Sequence, residues 1–220
     1  MEQLISQAYT AGLVSGKRGY THIHMGAGKR RLSMLMDIIM ETELPPYLMI
    51  PTHINRDEGL FAQSIEFAKL GGIVDVTSGV RFREYGLLRG PLNPARPSAV
   101  VLEAGVDVRQ ITMSSDANGC MAVYDSQGNC TGLCAASADT LYKEFCSLVS
   151  EEKIPMETAL QVVTSSPAAA IGMYPQKGHL AEGGDGDLIL LDQDLSIRQV
   201  YAMGRLAVKE GQVLLKGAFE

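Results

Sequence analysis

Hydrophobic and polar positions alternate between two patterns along most of the chain. Apolar residues recur at helical spacing in some segments, and short continuous apolar runs separate these segments. The first pattern predicts amphipathic helices and the second predicts buried strands. We predict helices at residues 2–14, 32–42, 60–72, 97–105, 137–150 and 156–163. We predict strands at residues 20–26, 47–53, 73–78 and 110–116. Loops are predicted at residues 79–94 and after residue 116. Repeated alternation of strand and helix indicates parallel strands joined by right-handed crossovers.

The pattern changes after residue 180. The segments "GDLILLD", "IRQVYAMG" and "LAVKEGQVLLKG" are short apolar runs separated by turns, without helical segments between them. This pattern is typical of antiparallel strands rather than of further strand and helix units. We therefore predict an α/β domain at residues 1–178 and a small β appendage at residues 179–220.

Polar residues follow each predicted strand of the α/β domain at its C-terminal end. These residues are His24, His53, the pair Thr77-Ser78, and Asp116. In a parallel α/β sheet the ligand site lies at those ends, so the two histidines and the aspartate are expected to converge. Because zinc accepts imidazole nitrogen and carboxylate oxygen, the sequence predicts a metal site there.

Each of these residues also has a structural interpretation. A histidine at a strand end is often structural, and His22 of the H-x-H pair is as well suited to fill the core layer below His24. Asp116 is equally suited to cap the turn that follows it, since "SDANG" is favourable turn chemistry. His179 lies in a glycine-rich segment near the appendage, and we interpret it as structural.

Composition narrows the class of protein. The 220 residues carry a formal net charge of −6, which argues against a nucleic-acid partner. No apolar run approaches the ~20 residues of a membrane span, and the N-terminus lacks the basic region of a signal peptide. The four cysteines lack C-x-x-C spacing, so we interpret them as reduced thiols and expect a cytoplasmic protein, with a zinc knot as the disfavoured alternative.

Several motifs taken in order resemble a known family. The segments "THIHMG", "PTHINR", "DVTS", "ITMSSDANG" and "VTSSPAAAIGM", followed by "KGHLAEGGDGDLILLD", are similar to the second half of isoaspartyl (β-aspartyl) dipeptidases of the amidohydrolase superfamily. The resemblance implies strands 5–8 of a metal-dependent (β/α)8 TIM barrel in residues 1–178. It also implies the C-terminal strands of a small β-sandwich domain in residues 179–220, and two divalent metals, usually zinc.

The resemblance also implies roles for particular residues. His24 and His53 match two histidines that ligate one metal, and Asp116 matches an aspartate that ligates the other metal and acts as general base. Arg56 matches an arginine that holds the substrate carboxylate. Cys120 stands where the family has a serine that touches the same carboxylate, and a thiol is the weaker hydrogen-bond donor.

The implied function is hydrolysis of β-aspartyl dipeptides by a metal-activated hydroxide in a homo-oligomer. The family also uses an H-x-H pair on its first barrel strand and a carboxylated lysine on its fourth, and an upstream segment is expected to supply both. One alternative is a non-catalytic truncated product or a half-barrel that needs a partner chain. Another is a dihydroorotase-like or N-acyl amino acid hydrolase, which Arg56 disfavours because its guanidinium selects an acidic or zwitterionic substrate.

Overall fold

The computed structural model describes residues 1–26, 28–78, 95–125 and 129–217. Its first part is a four-stranded parallel sheet with strand order β1-β2-β3-β4, formed by β1 (Thr21–His24), β2 (Met49–Thr52), β3 (Val74–Thr77) and β4 (Ile111–Ser114). The predicted alternation of parallel strands and helices is confirmed. The loop predicted at 79–94 lies outside the described residues.

One helix precedes the first of these strands, and further helices connect the strands and follow the last of them. They are α1 (Glu2–Ser15), α2 (Ser33–Glu41), α3 (Glu58–Lys69), α4 (Ala95–Glu103), α5 (Thr140–Ser150), α6 (Met156–Val163) and α7 (Ser165–Ala170). Helix α3 begins at Glu58, two residues before the predicted start at residue 60, because the Asp57 carboxylate accepts hydrogen bonds from the Gly59 and Leu60 backbone N–H groups, both at 3.0 Å. Helix α7 was not predicted as a helix of its own.

The main core lies between one face of the parallel sheet and the helices. Strand residues such as Val74, Val76 and Ile111 are fully buried there, together with Phe67 of α3 and Leu148 of α5. Because alternate residues of a strand point to opposite faces, the remaining strand residues line the other face of the sheet. The apolar runs therefore have one face in the core, and the other face is available for a site.

The other face carries a buried polar cluster centred on Asp75. Strand register aligns Thr52 with Asp75 and Asp75 with Thr112, so their side chains share this face. The Asp75 carboxylate accepts hydrogen bonds from the hydroxyls of Thr52 at 2.5 Å, Ser114 at 2.5 Å and Thr112 at 2.7 Å. A carboxylate that is only 3% exposed is thereby fully hydrogen-bonded, and it ties β2, β3 and β4 together.

His22 lies on the same face as His24, with ring centroids 5.3 Å apart, but its side chain is exposed. The interpretation that His22 fills a buried core layer is therefore wrong. Strand β1 is an outer strand of the sheet and its burial alternates between half-buried and exposed, so no packed layer of described residues covers this position.

The loop predicted after residue 116 contains a β-hairpin. Strands β5 (Cys120–Tyr124) and β6 (Cys130–Ala135) pair antiparallel, with Cys120 opposite Ala135. The Asp125 carboxylate accepts a hydrogen bond from the Asn129 backbone N–H at 2.8 Å across the turn. The glycine and asparagine content of this segment is typical of a loop, and for that reason the two short strands were not predicted.

The C-terminal part is a second, antiparallel sheet with strand order β10-β9-β8-β7. Its strands are β7 (Leu188–Leu191), β8 (Ile197–Ala202), β9 (Arg205–Lys209) and β10 (Gln212–Val213). The three strand segments predicted from the sequence are confirmed, whereas the domain boundary at residue 178 stays a prediction. The Tyr142 hydroxyl of α5 donates a hydrogen bond to the Leu195 carbonyl, which joins the helices to this sheet.

Candidate active site

The predicted site residues converge at the C-terminal ends of the parallel strands. His24 is the last residue of β1, His53 follows β2 directly, and Asp116 lies two residues beyond β4. One ligand atom from each of these three side chains lies within 4.8 Å of the other two. The structure therefore brings together the two histidines and the aspartate that the sequence predicted to meet.

His53 is held at the centre of this group. Its backbone has φ 63° and ψ 31°, a left-handed conformation that begins the 3-10 turn Ile54–Arg56. The His53 carbonyl accepts a hydrogen bond from the Arg56 backbone N–H at 3.0 Å. The ring has Nδ1 at 2.6 Å from Thr77 Oγ1 and Nε2 at 2.9 Å from His24 Nδ1. The left-handed residue thus turns the chain away from β2 and leaves the ring among its polar neighbours.

Asp116 lies opposite His53 and also has a left-handed backbone, with φ 51°. Its Oδ2 is 4.0 Å from His53 Nε2, and its side chain is 33% exposed. The turn after it is closed by a hydrogen bond from the Gly119 backbone N–H to the backbone carbonyl of Asp116 at 2.8 Å. The carboxylate is therefore not required to close the turn, which weakens the interpretation of Asp116 as a turn cap.

The site lowers the pKa of His53. Burial is the main cause, and the positive charge of Arg56 is the second. The carboxylates of Asp116 and Asp75 act in the opposite direction, because a negative charge favours the protonated ring. His53 is therefore neutral at neutral pH, which is the form that binds a metal ion.

Asn55 is a site residue that the sequence reasoning missed. It is 1% exposed, and its side-chain amide donates a hydrogen bond to the Thr77 carbonyl at 3.1 Å and accepts one from the Thr77 backbone N–H at 3.0 Å. Asn55 thereby fastens the 3-10 turn that follows His53 to the end of β3. Its position two residues after a predicted ligand was the available signal.

Arg56 and Cys120 flank this group. Arg56 ends the 3-10 turn, is exposed, and is near enough to His53 for its charge to lower the pKa of that ring. Cys120 is an exposed residue that begins β5 on the hairpin. Within the part of the chain that the structure describes, no hydrogen bond joins Cys120 to Arg56 or to the central group. The substrate-binding roles of Arg56 and Cys120 remain predictions.

Comparison with known proteins defines the class of this chain. A model of the amidohydrolase family matches residues 61–214, and the chain belongs to that family of hydrolytic enzymes, whose members are generally metal-dependent. Among curated relatives, adenine deaminase 2 of Jannaschia sp. (strain CCS1) is 43% identical over 60 residues, which are 26% of this chain and 10% of that protein. L-hydantoinase of Paenarthrobacter aurescens is 38% identical over 50 residues, or 23% of this chain and 11% of that protein.

Within the family, the chain is similar to β-aspartyl dipeptidase. The crystal structure of that enzyme from Fervidobacterium islandicum AW-1 with β-Asp-Leu dipeptide matches with a TM-score of 0.84 and 31% identity. The match covers 100% of this chain and 55% of the dipeptidase, so the chain spans about half the length of that relative. A second structure of the enzyme matches with a TM-score of 0.80 and 28% identity, over 98% of this chain and 53% of the dipeptidase. The predicted resemblance and the partial barrel are confirmed.

No helix in the described part of the chain combines the length and the apolar character that a membrane crossing requires. The cytoplasmic location, the homo-oligomer and the dipeptide partner stay predictions, and so does the identity of the metal.

Proposed function

We propose that this chain takes part in the metal-dependent hydrolysis of β-aspartyl (isoaspartyl) dipeptides. The observation that carries the proposal is the group formed by His24, His53 and Asp116, whose ligand atoms lie within 4.8 Å of one another at the C-terminal ends of the strands. In barrels built from parallel strands, this end of the sheet holds the active site. Similarity to a β-aspartyl dipeptidase over the whole chain supports the substrate class.

The donor set fits a divalent cation, and we propose zinc. Two imidazole nitrogens and a carboxylate oxygen are ligands that zinc accepts, and the low pKa of His53 keeps that ring in its ligating form. Such an ion lowers the pKa of a water molecule and polarises a carbonyl group. The ligand atoms of the three side chains are close enough to share one ion, although the resemblance assigns Asp116 to the second metal, and a pair of metals needs further ligands.

Asp116 is the proposed general base. Its carboxylate is partly exposed at the mouth of the group, where an attacking water molecule and a scissile carbonyl have access. The carboxylate takes one proton from the water as the C–O bond forms. It then gives that proton to the departing amine as the C–N bond breaks, so the base is restored after each cycle.

Arg56 is the proposed anchor for a substrate carboxylate. Its guanidinium is exposed at the end of the 3-10 turn that His53 begins, and a planar guanidinium pairs with a carboxylate through two parallel hydrogen bonds. This charge favours β-aspartyl dipeptides, which carry ionised carboxylates, over uncharged cyclic substrates of hydantoinase type. Cys120 is a weaker partner for the same carboxylate than a hydroxyl would be.

A second candidate is a non-catalytic half-barrel that needs a partner chain. The observation that favours it is the parallel sheet itself, in which β1 and β4 are the outer strands. A strand at the edge of a sheet presents backbone N–H and C=O groups that another strand can pair with. If the chain is such a half-barrel, it binds a cation but does not turn over substrate without its partner chain.

Hydrolysis of β-Asp-Leu by the purified chain with added zinc is the direct test, with N-acyl amino acids as competing substrates. We expect release of leucine from the dipeptide and a loss of about 10²–10⁴-fold or more in kcat for Asp116→Asn, because an amide accepts no proton at neutral pH. Asp37→Asn, at an exposed position of α2, is the matched control. Near-normal kcat in Asp116→Asn with full metal occupancy would refute the assigned mechanism. Zinc binding without turnover in the unaltered chain would favour the half-barrel.

A further inference from the structure

We propose that Thr77 is a positioning residue that sets the tautomer of His53. In this proposal the Thr77 hydroxyl accepts a hydrogen bond from Nδ1–H of His53, so the lone pair of that ring stays on Nε2, where a cation would bind. The inference rests on the proposed function, because it explains how the ring is prepared for a metal ion. Thr77 is the polar residue at the end of β3, and the proposed function gives it no other role.

The contact between Thr77 and His53 is short and shielded from water. Thr77 Oγ1 lies 2.6 Å from His53 Nδ1, and the two residues are 3% and 7% exposed. In such a place Nδ1 has little opportunity to exchange its partner for water. The Thr77 hydroxyl therefore determines whether Nδ1 of His53 carries a hydrogen.

Asn55 holds the backbone of Thr77 in place. The side chain of Asn55 pairs with both the N–H and the C=O of Thr77, at 3.0 and 3.1 Å, and Asn55 belongs to the 3-10 turn that starts from His53. His53 and Thr77 are thus joined twice, once through the ring and once through Asn55. This double connection holds the end of β3, which carries the hydroxyl, beside the turn that carries the ring.

The contact of Nε2 with His24 is compatible with the tautomer that has the hydrogen on Nδ1. A neutral imidazole carries one N–H, so a hydrogen on Nδ1 leaves Nε2 as an acceptor. Nε2 is 2.9 Å from His24 Nδ1, and a hydrogen bond at that distance needs one hydrogen between the two nitrogens. In the proposed arrangement the exposed His24 supplies that hydrogen from its Nδ1 and releases it when a cation takes its place.

The opposite arrangement predicts the opposite behaviour. If the Thr77 hydroxyl donated to Nδ1, Nε2 would carry the hydrogen and direct it toward His24 and Asp116. A cation would then have to displace that hydrogen before it could bind. Removing the hydroxyl would free Nδ1 to take the hydrogen, and metal affinity would stay the same or rise.

Three variants separate these arrangements. Thr77→Val removes the hydroxyl and keeps the branched shape, whereas Thr77→Ser keeps the hydroxyl. Thr21→Val is the matched control, since Thr21 lies on β1 and its buried hydroxyl has no hydrogen-bond partner among the described residues. Thr21→Val therefore makes the same chemical change on another strand of the same sheet, at a residue with no hydrogen bond to His53 among the described residues.

Two measurements on the purified chain distinguish the two arrangements of the hydrogen between Thr77 and His53. The first is the ¹⁵N chemical shifts of His53 in the metal-free chain, assigned with single histidine substitutions, and we expect the hydrogen on Nδ1. The second is calorimetric titration with zinc, in which we expect Thr77→Val to weaken binding about 10- to 100-fold, as is typical for loss of a partner that orients a ligand. Thr77→Ser and Thr21→Val should keep the original affinity.

A hydrogen on Nε2 of His53 in the metal-free chain would overturn the proposal, as would unchanged zinc affinity in Thr77→Val. If Thr77→Val fails to fold, the tautomer in the unaltered chain still decides it. If the unaltered chain binds no zinc, the proposed function fails, while the tautomer still tests the role of Thr77.

Discussion

Replacement of Asp75 by alanine should destabilise the fold strongly. The Asp75 carboxylate accepts hydrogen bonds from Thr52, Thr112 and Ser114, and all of these contacts are within 2.7 Å. A hydrogen bond to a charged group contributes about 1.5–3 kcal/mol, and a buried hydroxyl that loses its partner carries a desolvation penalty. The three contributions are not additive, and removal of a buried charge offsets part of the loss. We therefore expect Asp75→Ala to lower the free energy of unfolding by about 3 kcal/mol.

Urea unfolding of the metal-free chain is the assay. Asp75→Asn should lie between the alanine variant and the unaltered chain, because its amide oxygen still accepts hydrogen bonds and the neighbouring hydroxyls can rotate to accept from its NH₂ group. Asp37→Ala, at an exposed position of α2, should change the free energy of unfolding by less than about 0.5 kcal/mol. An Asp75→Ala variant as stable as the Asp37→Ala control would refute the view that this cluster holds β2, β3 and β4 together.

Three further predictions concern charge, hydrogen bonding and association. Burial and Arg56 lower the pKa of His53 below 6.5, so the unfolded chain binds more protons than the folded chain in that range. The metal-free chain should therefore lose stability as the pH falls below 6.5, and urea midpoints of His53→Gln should show a smaller loss. Burial, followed by a hydrogen bond with Cys146, raises the pKa of Tyr142 from 10.0 to about 12. Its stabilising contribution should be full below pH 10.0 and should disappear as the pH rises through about 12, which absorbance titration of the unaltered chain and Tyr142→Phe can follow. Sedimentation velocity should show oligomers, because Leu13 and Val14 of α1 are 64% and 85% exposed, and a compact monomer would contradict this expectation.

The elements and the central site were predictable from the sequence for a physical reason. Strand and helix periodicities differ clearly in this chain, and parallel topology places every strand end at one edge of the sheet. His24, His53 and Asp116 could therefore be placed together without knowledge of side-chain geometry. The hairpin β5–β6 was missed because its glycine and asparagine content is typical of loops, and α7 was missed because Pro167 lies within it.

The supporting residues could not be predicted because they depend on strand register. Asp75 meets Thr52 and Thr112 only because β2, β3 and β4 are aligned at those residues, and a shift by one residue would turn its side chain to the other face. Asn55 reaches Thr77 only because the chain turns sharply at His53. His22 was misjudged for a related reason, since its exposure depends on what covers the sheet rather than on its position in the strand.

The left-handed backbones of His53 and Asp116 have a consequence for how this chain can evolve. An L-residue in that conformation costs about 1–2 kcal/mol relative to a relaxed backbone, whereas glycine adopts it without strain. Glycine at either position would relieve strain and remove a ligand in the same step. A lineage that no longer needs the chemistry therefore gains by losing these two side chains first, while a lineage under selection for turnover retains them at the expense of stability. The residues found at these two positions in natural variants thus record whether the site is still in use.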